Sequence, residues 1–442
     1  MSATFDVIVA GGTLVNHAGE GAGDVGIRDG RIAAIGDLGQ ADAAQRVDAT
    51  GLHVLPGVID SQVHFREPGN EHKEDLQHGM DGAALGGVTA IFEMPNTSPL
   101  TIDEAAIRDK LNRAEGRAAV DHAFYVGAAA ENVPYLPELE RLPGVCGVKI
   151  FMGASTGDLL VADDATLLKV LQSGQRRVAI HSEDEERMNA RKGLRVTGDP
   201  SSHPVWRDDE SAIKATRRLL ALARQARRRV HVLHITTADE MDILAGQKDI
   251  ATVETTPQHL TLAAETAYPE LGTRAQMNPP IRAAVHREGL WRALQQGVVD
   301  VIGSDHAPHT LEEKAKPYPE SPSGMPGVQT LVPIMLDHVA QGRLSLARFV
   351  DLTSAGPQRI FGIAGKGRMA LGYDGDLTLV DLKRTETITD AQMANKSGWT
   401  PFDGKKVTGW PVMTIVRGHI AMRDGEVQGR DHGQPVRFLE TL

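Results

Sequence analysis

Residues able to do chemistry recur at the ends of apolar runs in this chain. Gln62 and His64 follow the run Leu52–Ile59 within Asp60-Ser-Gln-Val-His-Phe-Arg-Glu-Pro-Gly69, and strand alternation puts the two on one side. Lys149 lies inside Gly147-Val-Lys-Ile-Phe151, where an ammonium is costly unless it is paired or chemically altered. His181 ends Val178-Ala-Ile-His, His234 ends Val232-Leu-His, and Asp305 closes Asp300-Val-Ile-Gly-Ser-Asp with His306 and His309 following. Singly, each has a bland explanation: a surface imidazole, a satisfied core histidine or a helix-capping aspartate. Jointly they are imidazole and carboxylate donors on successive strand ends, with no thiolate among them. Such a set suits zinc or a similar divalent ion that keeps a position open for hydrolytic chemistry, and it argues against redox or iron–sulfur function.

Side chains converge in this way at the C-terminal ends of the strands of a (β/α)8 barrel. Strand-like runs alternate with helical stretches as a barrel requires: Thr89–Glu93 then Ile102–Arg117, Val120–Val126, Gly147–Phe151 then Ala165–Gln172, and Ala179–His181. The series continues with Asp209–Arg227, His231–Ile235, Ala238–Gly246, Thr252–Thr255 and Val299–Ser304. Both chain ends read instead as short antiparallel strands. Phe5–Val9, Val25–Arg28 and Arg31–Ile35 surround an Asp29-Gly30 turn, and Leu377–Asp381, Met413–Val416 and His419–Met422 have turns at Arg417-Gly418 and Asp424-Gly425. The expected fold is α/β: a TIM-like barrel over residues 57–365, with a β-sandwich domain formed from residues 1–56 and 366–442.

Composition narrows the function. With 47 Lys+Arg against 58 Asp+Glu in 442 residues, the net charge of −11 leaves no basic surface of the kind that binds a nucleic-acid backbone. The single cysteine, Cys146, excludes an intramolecular disulfide and suits the cytoplasm; it reads as a small buried residue. No apolar stretch approaches membrane-spanning length, and no signal peptide is apparent. Arg224–Arg229 reads as a solvated helix end. Thr310–Gly327, rich in Pro, Glu and Ser, is too long for a simple βα turn and either covers the site or makes a surface excursion. Gly153–Gly157, after Lys149, is a candidate pocket-shaping loop.

One family shares these strings. His64-Phe-Arg-Glu-Pro-Gly69, Lys73-Glu-Asp75, Met94-Pro-Asn-Thr97, Lys149-Ile-Phe-Met-Gly, Met277-Asn-Pro-Pro-Ile-Arg282 and Ser304-Asp-His-Ala-Pro-His309 together resemble the dihydroorotases of the amidohydrolase superfamily. The resemblance covers nearly the whole chain. It implies the reversible cyclisation of N-carbamoyl-L-aspartate to L-dihydroorotate in pyrimidine biosynthesis. It also implies His64, His181, His234 and Asp305 as metal ligands, and Lys149 as a carboxylated lysine bridging two zinc ions. Asp305 would be the catalytic proton carrier, and Arg66, Asn96, Asn278 and His309 would hold the substrate. One departure stands out: the family's His-x-His is Gln62-Val-His64 here, so Gln62 is a doubtful metal ligand and the count is one or two zinc ions. A second departure, Gln258 in Pro257-Gln-His-Leu260, touches none of the implied ligands. The resemblance further suggests a homodimer. It leaves open a hydantoinase- or allantoinase-like activity, or a non-catalytic homologue associated with aspartate transcarbamoylase.

Overall fold

The computed structural model describes residues 4–155 and 159–441. The amino-terminal segment forms β1 (Phe5–Asn16), β2 (Gly19–Arg28), β3 (Arg31–Gly36), β4 (Ala43–Asp48) and β5 (His53–Pro56). The central segment supplies β6 (Val58–Val63), β7 (Val88–Glu93), β8 (Asp121–Gly127), β9 (Val145–Phe151), β10 (Val178–His181), β11 (Val230–Val232), β12 (Ala251–Thr255) and β13 (Val301–Ile302). These eight pair in parallel and in chain order from β6 to β13. A parallel bridge between Val63 and His306, with the His64 amide donating to His306 O at 2.6 Å, joins the first strand to the residues just beyond the last. The chain then returns through β14 (Leu377–Thr387), β15 (Lys406–Val416), β16 (His419–Arg423) and β17 (Glu426–Val427).

The two ends meet in one sheet. Nine strands run β17-β16-β15-β14-β5-β1-β2-β3, with β4 also on β1, so the sheet forks where β1 pairs first with β4 and then with β5. β4, β5 and the length of β1 were not evident from the sequence: β4 is mostly exposed, β5 is buried inside the continuous apolar run Leu52–Ile59 that leads into β6, and β1 runs on through Gly11-Gly12. The three expected turns are present. Asp29, Arg417 and Asp424 each have positive φ and precede a glycine that also has positive φ, the conformation a tight two-residue hairpin demands.

The barrel's alternation explains where the site residues face. Val148 and Ile150 of β9 point outward to the helices, packing in one core with Leu167, Val170 and Leu219. Cys146 joins Ala90, Phe92, Tyr125 and Phe361 inside the barrel. A register shift against β8 at residues 145–147 resets the alternation there, and Lys149, between outward-facing Val148 and Ile150, also faces inward. Helices after the strands start on acidic or hydroxyl caps: Asp103, Asp163, Asp208 and Thr237 each accept a backbone N–H from the first turn. Arg224–Arg229 is not a uniformly solvated helix end. Arg224 is exposed and pairs with Asp249, but Arg228 is buried and pairs with Glu140 Oε2 at 2.8 Å. Cys146 is buried, as expected.

A candidate metal-dependent active site

β6, β9 and β10 and the turns beyond β6, β11 and β13 deliver Gln62, His64, Lys149, His181, His234 and Asp305 to one pocket of about 330 Å³, which Arg66, Asn96, Phe151, Ser155 and Asn278 also line. Three of these positions hold strained backbone: Arg66, His234 and Asp305 have φ of 63°, 36° and 46°. Each such non-glycine residue costs roughly 1–3 kcal/mol and persists only where surrounding structure enforces it, as at active sites. His234 and Asp305 lie beyond their short strands rather than at their ends, which frees the backbone to turn these side chains inward.

Potential ligand atoms face one another at close range. The His64 Nδ1–H donates to Asn96 Oδ1 at 2.7 Å, so a neutral His64 turns the lone pair of Nε2 toward Asp305 Oδ1, 3.3 Å away. The His181 Nε2–H donates to Glu183 Oε2 at 2.8 Å, which leaves Nδ1 facing His234 Nε2 at 3.1 Å. Burial lowers the pKa of all three imidazoles, keeping them in the neutral form that ligates metals. Two imidazole nitrogens on a tetrahedral zinc, each bonded at about 2.0–2.1 Å, stand about 3.3 Å apart. The donor set therefore fits a divalent cation between the rings.

Lys149 is fully buried, and its Nζ has no hydrogen-bond partner; it lies 4.5 Å from the centre of the Phe151 ring. Burial pushes its pKa down to about 7, against the pull of Asp305 and Glu254. Gln62 Nε2 donates to Asp305 Oδ1 at 3.0 Å, while Gln62 Oε1 is buried without a partner. An ionised carboxylate requires a donor opposite it, which fixes this orientation of the amide.

Arg66 and His309 lie side by side. Arg66 Nε donates to Pro308 O at 3.2 Å and its Nη2 lies 3.3 Å from His309 Nε2. His309 is buried beside Arg66, and its Nε2 also lies 3.0 Å from the carbonyl of Ser323, a residue that lines the pocket. Asn278 Nδ2 donates to Ser155 Oγ at 3.4 Å. Ser155 belongs to the loop expected to shape the pocket; Thr156 and Gly157 of that loop lie outside the described residues. Segment 310–327 does line the pocket, through Ser323 and Gly324.

Several supporting residues escaped the sequence reading. Glu183 orients His181 and is itself gripped by Arg207; burial would raise its pKa, but Arg207 and His181 outweigh that and hold it ionised. Its signal was the acidic run Glu183–Glu186, which starts two positions after His181. Glu254, raised by burial to a pKa of about 8, accepts from Ser61 Oγ at 2.8 Å within the barrel. Another acidic group, Asp121, Asp374 and Asp376, has ligand atoms close enough to hold a metal, but the Lys366 ammonium already sits among the three. That cluster is an internal ion network where barrel and terminal sheet meet.

Comparison with known proteins agrees with the geometry. Residues 53–421 match the amidohydrolase family. The dihydroorotase of Methanothermobacter thermautotrophicus is 36% identical over 412 residues, 91% of this chain and 92% of that protein. An allantoinase of Rubrobacter xylanophilus is 35% identical over 448 residues, 98% of each. The solved structure of the L-hydantoinase (dihydropyrimidinase) from Arthrobacter aurescens superposes with a TM-score of 0.93 at 31% identity, covering 98% of this chain and all of the other.

Proposed function

The chain belongs to the amidohydrolase family, as a cyclic amidohydrolase, and we propose that within it the protein is a dihydroorotase that interconverts N-carbamoyl-L-aspartate and L-dihydroorotate. The observation that carries this choice is Arg66. Its guanidinium lines the pocket, held by Pro308 O and His309, and offers a fixed planar fork to a carboxylate, which dihydroorotate has and unsubstituted hydantoin lacks. Burial lowers its pKa only to about 10, so it stays charged at neutral pH.

His64, His181, His234, Asp305 and a carboxylated Lys149 would hold the metal, read as one or two zinc ions. Bound there, zinc supplies polarisation of the amide carbonyl and lowers the pKa of water from 15.7 to about 7. With its pKa near 7, the Lys149 amine is substantially neutral at working pH; it adds to CO2, forming an N–C bond and releasing one proton, and so becomes an anion suited to its buried place. In ring opening, water attacks the amide carbon. Asp305, held by the Gln62 N–H, takes the water's proton and hands it to the ring nitrogen as the C–N bond breaks; ring closure reverses each step. Asn96 fixes the His64 ring, and Asn278 borders the substrate on the opposite wall.

A hydantoinase is the second reading, favoured by the close superposition on L-hydantoinase. Substituting Arg66→Met separates the two. For a dihydroorotase, KM for L-dihydroorotate should rise roughly 100-fold, the ~3 kcal/mol of a charge-assisted contact, with metal content unchanged. An unchanged KM would remove Arg66 as the carboxylate site and move the reading to hydantoins.

A further inference from the structure

Lys314 is the one lysine of segment 310–327 that is nearly fully buried, at 1% exposure, and its ammonium meets carbonyls rather than a carboxylate. Its Nζ donates to Pro322 O at 2.8 Å, Gly324 O at 3.1 Å and Gln276 O at 3.4 Å, using all three N–H bonds. Gln276 O also accepts from the Gly324 amide at 2.9 Å, and Ser321 Oγ donates to Gln276 Oε1 at 2.5 Å. The residues so tied belong to two separate segments. Each places substrate-wall residues in the pocket within two positions of a bonded carbonyl: Asn278 on one, Ser323 and Gly324 on the other. A buried polar nitrogen left without partners is expensive, so one held by three carbonyls from two segments is a firm constraint on where those carbonyls lie.

The preceding residue faces the other way. Glu313 caps its own one-turn helix, Leu311–Lys314, through Thr310, and pairs with Lys73 at 3.0 Å; Lys73 Nζ lies 3.3 Å from His309 Nδ1, and His309 lies beside Arg66. Neighbouring side chains of one short helix therefore reach both walls of the pocket.

We propose that Lys314 is a positioning residue for substrate: its ammonium clamps segment 322–324 to Gln276 and thereby sets the wall formed by Asn278, Ser323 and Gly324. The inference rests on this pocket being the cyclic-amide site, whichever cyclic amide it takes. Lys314→Met keeps the length and packing of the side chain and removes the donors.

The test is steady-state kinetics of the full-length, zinc-loaded Lys314→Met protein on L-dihydroorotate and on hydantoin, with metal content and limited proteolysis measured alongside. The expected result is a KM at least tenfold higher on whichever substrate the native protein uses, a kcat within threefold, unchanged metal content and new cleavage between residues 315 and 323. Lys314→Gln, which retains two N–H donors, should recover part of the KM. A folded Lys314→Met protein with native KM and native protease resistance overturns the proposal. Should Lys314→Met not fold, Ser321→Ala, which cuts the Ser321–Gln276 strut of the same clamp, should raise KM at least threefold; a native KM there overturns it equally. Absence of turnover by the native protein on both substrates would count against the activity reading alone, and proteolysis would still decide the clamp.

Discussion

Lys149 concentrates the chemistry in a single side chain. An amine buried without a partner, with a pKa near 7, is poorly explained as a structural ammonium and well explained as the precursor of a metal-bound carbamate. Lys149→Ala should lose metal and activity together, and a short carboxylic acid should restore part of both; full activity in the variant without added acid would exclude the carbamate. Glu183 acts one bond further out. Glu183→Gln removes the anion that fixes the His181 ring, and such partners typically contribute 10–100-fold to metal affinity. Chelator competition on the native and variant proteins should show a loss in that range, and equal affinities would make Glu183 merely structural. Most pocket residues were legible in sequence because their types, imidazole, carboxylate and a lysine in an apolar strand, are out of place unless functional. Glu183, Lys314 and Ser323 were not, because a second-position carboxylate or a loop lysine looks the same in sequence whether it faces solvent or a ligand.

Elements decide which of those side chains can meet. β11 and β13 are only three and two residues long, and the turns beyond them hold His234 and Asp305 at positive φ. Sequence periodicity marked both strands but placed their ends too late, since an apolar run does not announce where its hydrogen bonding stops. The helix Leu331–Ala340, outside the barrel, carries its own titration. His338 packs edge-on against Trp291 with centroids 4.7 Å apart, its Nε2 lies 2.9 Å from Thr261 Oγ1, and burial pushes its pKa down to about 3. A depressed pKa gives stability that is present above the unfolded value of about 6.5 and lost as pH falls below it. The native protein's unfolding free energy, relative to a His338→Gln variant, should therefore fall by about 1.4 kcal/mol between pH 7.5 and pH 5.5. Denaturant titrations at the two pH values measure it, and a constant difference would mean that His338 is not held neutral.

At the scale of the whole molecule, eight parallel strands in chain order and one sheet woven from both termini place the pocket where a barrel converges its side chains. That architecture was readable because βαβ alternation and the three glycine hairpins are local signals. The fork of the terminal sheet at β1 was not, since it depends on one strand pairing with two different strands well removed in sequence, as Val7 does with Gln45 and Thr13 with His53. No helix among the described residues is long and apolar enough to cross a membrane. Fold and family are shared with hydantoinases and allantoinases, so the substrate is decided by the pocket rather than by the architecture. The most direct measurement is therefore to incubate the purified, zinc-supplemented protein separately with N-carbamoyl-L-aspartate, L-dihydroorotate, hydantoin and allantoin, and to follow each by chromatography. Interconversion of the first two, with little turnover of the others, is the predicted result; cleavage of hydantoin or allantoin with dihydroorotate left untouched would contradict it.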